Sequence, residues 1–223
     1  MRARGTRPTR TTKGKPFPVR RKPQAMEAPQ RRYTYADRLA WAVETRWELI
    51  DGVAYAMSSS NLVHQALLGE LFMHLKLNLK DSRCRVVMAP FDVKFSDHDV
   101  VQPDLLVSCS HRLGHQFHDG PPDLCVEILS PSTQRHDRMR KLRLYAAHGV
   151  SEYWLVTPSP LLVEVLENVE GAFVTRGVYS DGQTLPSPRF PELELNLDEV
   201  LAALPPQPPL DEVRETTPVY APA

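Results

Sequence analysis

Two segments of this chain are largely apolar runs of strand length, and each of them carries a carboxylate near its middle. The first segment spans residues 100–107 and carries Asp104, and the second spans residues 122–130 and carries Glu127. Continuous apolar runs are typical of strands that are buried on both faces, whereas a strand with one solvated face alternates apolar and polar residues. The two runs therefore predict a central sheet that is covered on both sides.

The two acids in these strands predict a metal site. An uncompensated carboxylate in a buried strand costs on the order of several kcal/mol. A divalent cation shared by two neighbouring strands would compensate both acids, and oxygen-rich sites suit Mg²⁺ or Mn²⁺. We therefore expect Asp104 and Glu127 to be metal ligands of a hydrolase, with the backbone carbonyl of Ile128 in the inner shell. The alternative is that both acids face solvent at one end of the sheet.

Helix and strand patterns alternate along the chain. A capping box at 34–37 predicts a short helix to about residue 44, and Asp51-Gly52 predicts a hairpin over 47–57. An apolar i, i+4 repeat predicts a long helix over 61–80, and a second helix is expected over 137–148. Further strands are predicted near residues 84–88, 91–95, 103–107, 124–129, 152–156, 161–166 and 172–178. This order predicts an α/β fold with a mixed β-sheet flanked by helices, preceded by a helix and a β-hairpin.

The charges are distributed unevenly between the N-terminus and the rest of the chain. Residues 1–32 hold eleven Lys or Arg residues and one acid, which leaves sixteen basic and twenty-six acidic residues in 33–223. We expect 1–32 and 205–223 to be disordered, Pro-rich tails around one folded domain at 33–204, with Met26 as an alternative start to Met1. Because the domain is acidic, contact with nucleic acid requires a local basic surface or the tail.

The helix predicted over 137–148 supplies that basic surface. Asp137, Lys141 and Tyr145 have i, i+4, i+8 spacing and therefore lie near one face. Lys141 lies either in a surface ion pair with Asp137 or over the metal site, where its ammonium would orient the attacking water or stabilise charge on the phosphate. The same region carries four candidate phosphate contacts, Arg135 just before the helix and Arg138, Arg140 and Arg143 within it.

Glu48 and His64 are further candidates for the metal site. Glu48 lies in the first strand of the hairpin, and His64 lies in the first turn of the long helix. Either residue could be a satisfied polar side chain or a cap partner. They could instead converge on the metal as a third ligand or a proton carrier.

The three cysteines form no CxxC pair. Cys84 and Cys125 fall in apolar, strand-like runs, which favours buried thiols in a reducing cytoplasm over a disulfide framework. A zinc site on Cys109, His111, His115 and His118 is an alternative, although Gly114 interrupts the segment. No apolar run approaches eighteen residues and no secretory h-region is present, so no membrane span is expected.

Taken together, these motifs resemble a known family. The motifs that carry the resemblance are Trp47 to Gly52, His64, Gln102-Pro103-Asp104-Leu105, Pro122 to Thr133, Asp137, Lys141, Tyr145, Gly149-Val150 and Glu152 to Val156. Over about residues 33–200 the chain resembles the Uma-two-type restriction-endonuclease-like proteins of the PD-(D/E)XK nuclease superfamily. The resemblance implies a restriction-endonuclease-like core with Asp104 and Glu127 as metal ligands. In the wider superfamily a lysine follows the second acid by two residues, and here Leu129 occupies that position. The resemblance implies that Lys141, from the following helix, takes the place of that lysine.

The sequence therefore predicts an endonuclease that depends on Mg²⁺ or Mn²⁺ and hydrolyses DNA phosphodiester bonds. In this hypothesis Asp104 and Glu127 hold the metal, Lys141 positions the water, and Glu48 assists as ligand or base. Alanine at Asp104, Glu127 or Lys141 is expected to abolish cleavage and leave the fold intact. The alternative function is a catalytically inactive, nuclease-like module that binds nucleic acid or protein. The Val- and Leu-rich strands after residue 160 are the candidate surface for a homodimer.

Overall fold

The computed structural model describes residues 31–41, 45–57, 59–130 and 137–205, with the side chains of Asp137 and Arg138 left out. The predictions on the two tails and on Met26 as the start lie outside these residues, except at Arg31, Arg32 and Pro205. The domain boundaries therefore stay predictions.

The described segments contain helices and strands in an alternating order. The helices are α1 (Tyr35–Leu39), α2 (Leu62–Asn78), a π-helical turn (Asp137–Lys141) that leads into α3 (Leu142–His148), and α4 (Leu197–Ala202). The strands are β1 (Trp47–Ile50), β2 (Val53–Ala56), β3 (Arg85–Met88), β4 (Asp92–Lys94), β5 (Val100–Val101), β6 (Leu105–Ser108), β7 (Phe117–Asp119), β8 (Leu124–Ile128), β9 (Glu152–Pro158), β10 (Leu161–Val169), β11 (Ala172–Tyr179), β12 (Thr184–Leu185) and β13 (Leu195–Asn196). Of the helices described here, none has the length and apolar character that crossing a bilayer requires.

The local signals at the N-terminal side of the domain are confirmed. Thr34 and Asp37 form the predicted capping box of α1, and both turn residues, Asp51 and Gly52, have positive φ as a type I′ hairpin requires. The expected end of α1 near residue 44 is wrong, because α1 ends at Leu39. The Arg38 side chain, in the last turn, donates to the backbone carbonyl of Trp47 and so ties that turn to the start of β1.

A six-stranded mixed sheet forms the centre of the domain, in the order β11-β10-β9-β8-β6-β3. All five residues of β8 are buried, as its continuous apolar run predicts. Alternate residues of β8 point to opposite faces, so Val126 packs with Leu67, Leu71 and Leu75 of α2, whereas Cys125 packs with Tyr145 of α3. The pairing of β8 with β9 is parallel, and α3 lies in the connection between them. The predicted α/β fold is confirmed.

A second sheet, which the sequence did not predict as separate, lies on the α3 side of the central sheet. Its order is β2-β1-β5-β4-β7, and it contains the hairpin. Val93 and Val101 of this sheet belong to the same apolar cluster as Leu106 of β6 and Tyr145 of α3. Because the hairpin is part of this covering layer, residues of β1 can reach the central strands.

The expectation of a buried thiol is wrong for Cys84 and confirmed for Cys125. Cys84 and Cys109 form a disulfide, and only Cys125 among the cysteines is a buried thiol. The reason is strand register: β3 and β6 are antiparallel with Arg85 opposite Ser108, so the next residue outwards on each strand also faces its partner. Burial raises the pKa of the Cys125 thiol well above its usual value, which keeps that thiol protonated.

Candidate active site

The two predicted acids meet at one end of the central sheet. β6 and β8 are antiparallel, with Leu105 opposite Val126, so the register extended by one residue places Asp104 opposite Glu127. Residues opposed in this way project from the same face, with Cα atoms about 4.5–5.5 Å apart. The Asp104 carboxylate also accepts a 2.8 Å hydrogen bond through Oδ2 from the backbone N–H of Ile128. This hydrogen bond fixes the Asp104 carboxylate beside the residue that follows Glu127.

Glu127 is buried and is held by two side chains of the following helix. Its Oε1 accepts hydrogen bonds from Lys141 Nζ at 2.9 Å and from Tyr145 Oη at 2.8 Å. Burial, followed by the Glu127 charge, raises the pKa of Tyr145 well above its usual value, so the phenol stays protonated and donates. These contacts fix the orientation of the carboxylate.

Lys141 joins Glu127 to the hairpin. Its Nζ lies 2.9 Å from Oε1 of Glu48 as well as 2.9 Å from Oε1 of Glu127, and only 3% of its side chain is exposed. The alternative in which Lys141 forms a surface ion pair is therefore wrong, because its side chain points into the protein. Glu48, Glu127 and Lys141 form a buried ionic cluster, in which one ammonium is shared by two carboxylates.

Lys141 lies at the junction of a π-helical turn and α3. Residues Asp137–Lys141 form a π-helical turn, and regular α-helix begins at Leu142. Lys141 and Tyr145 are separated by four positions, so they lie on one face as the sequence predicts. Single π-helical turns inside helices occur frequently at functional sites.

His64 contacts the other acid of the pair. Its Nε2 lies 3.2 Å from Oδ2 of Asp104, which places the first turn of α2 beside the end of β6. A carboxylate accepts hydrogen bonds, so Nε2 is the donor in this contact, and in the neutral imidazole Nδ1 is then the acceptor. His64 Nδ1 is buried and has no hydrogen-bond partner among the described residues. An acceptor in this state is suited to take a proton from water or to bind a water molecule.

The donor set at this end of the sheet fits one hard divalent cation. Asp104 Oδ1 accepts no hydrogen bond from the described residues, and the carboxylates of Asp104 and Glu127 project from one face. Within the described part of the chain no three His, Cys, Asp or Glu side chains converge as a complete metal site. Mg²⁺ suits such a sparse set, since it commonly uses one or two carboxylates and completes its shell with water and substrate oxygens.

Gln102 is part of this site although the sequence did not single it out for a role. Its backbone N–H donates to Glu48 Oε1 at 2.8 Å, and its side-chain amide donates to Asp92 Oδ1 at 2.7 Å. Asp92 in turn forms a two-bond ion pair with Arg38. These contacts connect Glu48 through Gln102 and Asp92 to Arg38 and hold the Glu48 carboxylate in place. Its only signal in the sequence was the proximity of Gln102 to Asp104.

The predicted phosphate-binding arginines fall into two groups. Arg140 and Arg143 are described and exposed, and the Arg140 guanidinium lies over the ring of Tyr55, with its Cζ 4.5 Å from the centroid. The side chains of Arg135, Arg138 and Asp137 lie outside the described residues. The phosphate role of all four arginines therefore stays a prediction.

The zinc alternative is wrong. The Cys109 sulfur is bonded to Cys84, and His118 is buried with both ring nitrogens engaged. His118 Nδ1 donates to the carbonyl of Gly120 at 2.9 Å, and Nε2 accepts from the Ser108 hydroxyl at 2.8 Å. The cysteine therefore has no thiolate, and this histidine no free ring nitrogen, with which to bind zinc.

The buried His118 gives a pH-dependent contribution to stability. Burial lowers the pKa of His118 below its usual 6.5, so the unfolded chain binds a proton at pH values at which the folded chain does not. This contribution is fully present above pH 6.5 and is lost as the pH falls through the folded-state pKa. Below pH 6.5 the free energy of unfolding should therefore fall more steeply for the wild type than for His118→Gln, by up to about 1.4 kcal/mol per pH unit. Urea titrations at several pH values measure both curves; parallel curves would contradict this account.

Fold and site together define a restriction-endonuclease-like α/β protein. Residues 35–198 match the sequence profile of the Uma2 family, which carries the description "Putative restriction endonuclease". The match covers well over half of the chain, and the chain belongs to this family.

Two relatives illustrate the similarity. The chain is 29% identical over 137 residues to "Uncharacterized protein slr1290" of Synechocystis sp., an alignment that covers 59% of this chain and 72% of that protein. Its fold is similar to the crystal structure of "a putative nuclease belonging to DUF820" from Anabaena variabilis, with a TM-score of 0.64 at 23% identity. That alignment covers 76% of this chain and 98% of the other, and it establishes likeness of fold.

Proposed function

We propose that this protein is an endonuclease that hydrolyses DNA phosphodiester bonds with Mg²⁺ or Mn²⁺ as cofactor. The observation that supports the proposal is the convergence of Asp104, Glu127 and Lys141 at one end of the central sheet. A carboxylate pair with a neighbouring ammonium suits phosphodiester hydrolysis, because negative charge develops on the phosphate as water attacks. Membership of a family described as restriction endonucleases supports the same reaction.

In this proposal Asp104 and Glu127 hold the cation, and the carbonyl of Ile128 is its backbone ligand. The cation supplies a water molecule of lowered pKa and neutralises charge on the phosphate. Tyr145 keeps the Glu127 carboxylate in one orientation. Lys141 stabilises the charge that builds on the phosphate, or it orients the attacking water.

Two further side chains have supporting roles in the proposed reaction. Glu48 holds Lys141 through a direct ion pair and so acts as a positioning residue, and its role as ligand or base stays a prediction. His64 Nδ1 is the candidate proton acceptor, because it is a buried acceptor without a partner among the described residues and its ring is fixed by Asp104.

The cellular setting belongs to the same proposal. A cytoplasmic location is consistent with a DNA substrate, whereas the cysteines give it no support, because Cys84 and Cys109 are paired. A homodimer also stays a proposal. The surface that suits it is the edge strand β11, where Val174 and Val178 are exposed.

A cleavage panel tests the proposed function. Single-stranded, duplex and branched DNA are incubated with the purified full chain and Mg²⁺, Mn²⁺ or a chelator. We expect cleavage of at least one DNA with either metal and none with chelator. DNA binding without cleavage under every metal condition would contradict the proposal and favour the alternative of an inactive binding module.

A further inference from the structure

A half-buried tyrosine and an exposed arginine lie stacked beside the ionic cluster. Tyr55 of β2 is opposite Glu48 of β1, so both side chains project from the same face of the hairpin. Arg140 immediately precedes Lys141 in the chain. Each member of the stack is therefore the direct neighbour of a member of the cluster, and the pair lies at the edge of the candidate active site.

The Arg140 guanidinium lies over the Tyr55 ring. The Arg140 Cζ lies 4.5 Å from the centroid of the Tyr55 ring, within the range of a cation–π contact. Arg140 is exposed, whereas Tyr55 is half-buried, so the guanidinium is the outer layer. The guanidinium is planar, so the contact places a flat, charged group over the ring.

A planar guanidinium that rests on an aromatic ring is a surface on which a nucleobase stacks. In an intact duplex the neighbouring base pairs cover both faces of a base. Only an unpaired base can therefore use this surface without disruption of the helix. A simple phosphate contact would need the positive charge of Arg140 but not its plane.

We propose that Tyr55 and Arg140 form a stacking platform for an unpaired nucleobase next to the scissile phosphate, so that the preferred substrate is DNA with a single-stranded region at the cleavage site. This inference rests on the proposed nuclease function and specifies its substrate class. The platform binds the base through its face, and the preference is therefore for strand structure and not for base sequence.

The test uses a protein that binds without cleavage, the full chain with Asp104→Asn, and a single-stranded oligonucleotide that contains 2-aminopurine. Stacking quenches the fluorescence of this base, so the readout is independent of cleavage. With the platform intact we expect quenching and tighter binding of single-stranded than of duplex DNA. Tyr55→Ala should weaken single-strand binding roughly tenfold and remove the quenching, while duplex binding changes less than about twofold.

Matched variants separate stacking from charge. Tyr55→Phe keeps the ring and should behave like the parent, whereas Arg140→Lys keeps the charge but should lose the quenching. Normal quenching and affinity in Arg140→Lys would overturn the platform and leave Arg140 as a phosphate contact. Unchanged binding in Tyr55→Ala, with thermal unfolding like the parent, would overturn it as well.

The outcomes also separate this inference from the function on which it rests. If the wild type cleaves DNA but the Tyr55 and Arg140 variants match it in binding and quenching, only the platform is wrong. If the wild type cleaves nothing but quenching depends on the ring and the guanidinium plane, the nuclease function fails and the platform stands as a binding site. Absence of DNA binding overturns both.

Discussion

Asp104→Asn should abolish metal-dependent cleavage, with a loss of about 10³-fold or more. The substitution removes one of the two carboxylates proposed to hold the cation, and a catalytic cation contributes several kcal/mol of charge stabilisation, or about tenfold for each 1.4 kcal/mol. Stability should change little, by about 1 kcal/mol, because the asparagine oxygen can still accept from the Ile128 N–H. Single-turnover cleavage with Mg²⁺ and urea unfolding measure the two effects.

Asp119→Asn is the matched control for this substitution. Asp119 is an exposed aspartate at the end of β7, so the same chemical change there should leave both cleavage and stability unchanged. If Asp104→Asn cleaved DNA at the wild-type rate and with the wild-type metal dependence, Asp104 would have no role as a ligand. Equal losses in both variants would point to a general effect of charge.

Lys141→Met should lower the free energy of unfolding by about 3–5 kcal/mol and also abolish cleavage. The substitution removes the ammonium that Glu48 and Glu127 share. Both carboxylates then stay buried without the positive charge of Lys141. This expectation replaces the one from the sequence, which held that the fold would be unaffected; the burial of Lys141 is the reason. Urea unfolding at neutral pH measures the loss.

Neutralising the whole cluster is the control for Lys141→Met. The triple variant Glu48→Gln, Glu127→Gln, Lys141→Met carries no buried charge at these positions, so most of the lost stability should return while cleavage stays absent. Wild-type stability in Lys141→Met alone would contradict the burial of the ion pairs. A triple variant less stable than Lys141→Met would contradict the electrostatic origin of the loss.

Local chemistry made part of the fold predictable from the sequence. The capping box of Thr34 and Asp37 and the turn at Asp51 and Gly52 each involve contacts between residues close in sequence. Both were therefore predictable from the local sequence. The burial of β8 followed from its continuous apolar run. The pairing of Cys84 with Cys109, 25 residues apart, was missed because it depends on the register between β3 and β6.

The site was predictable in its residue types and less so in its contacts. Two acids in buried strands predicted the Asp104 and Glu127 pair, and i, i+4 spacing placed Lys141 beside Tyr145. The sequence did not predict that Lys141 bridges to Glu48, because that contact depends on how the second sheet packs against α3. Gln102 was missed for the same reason: its N–H reaches Glu48 only once β1 and β5 are paired.

The central claim is that Asp104 and Glu127 share one divalent cation with Lys141 beside it. Diffraction from crystals of the full chain grown with Mn²⁺, at an X-ray energy where manganese scatters anomalously, tests this claim most directly. We predict an anomalous peak in contact with the carboxylates of both Asp104 and Glu127. At saturating Mn²⁺, the absence of a peak between these two carboxylates, or a peak only at another surface, would contradict the claim.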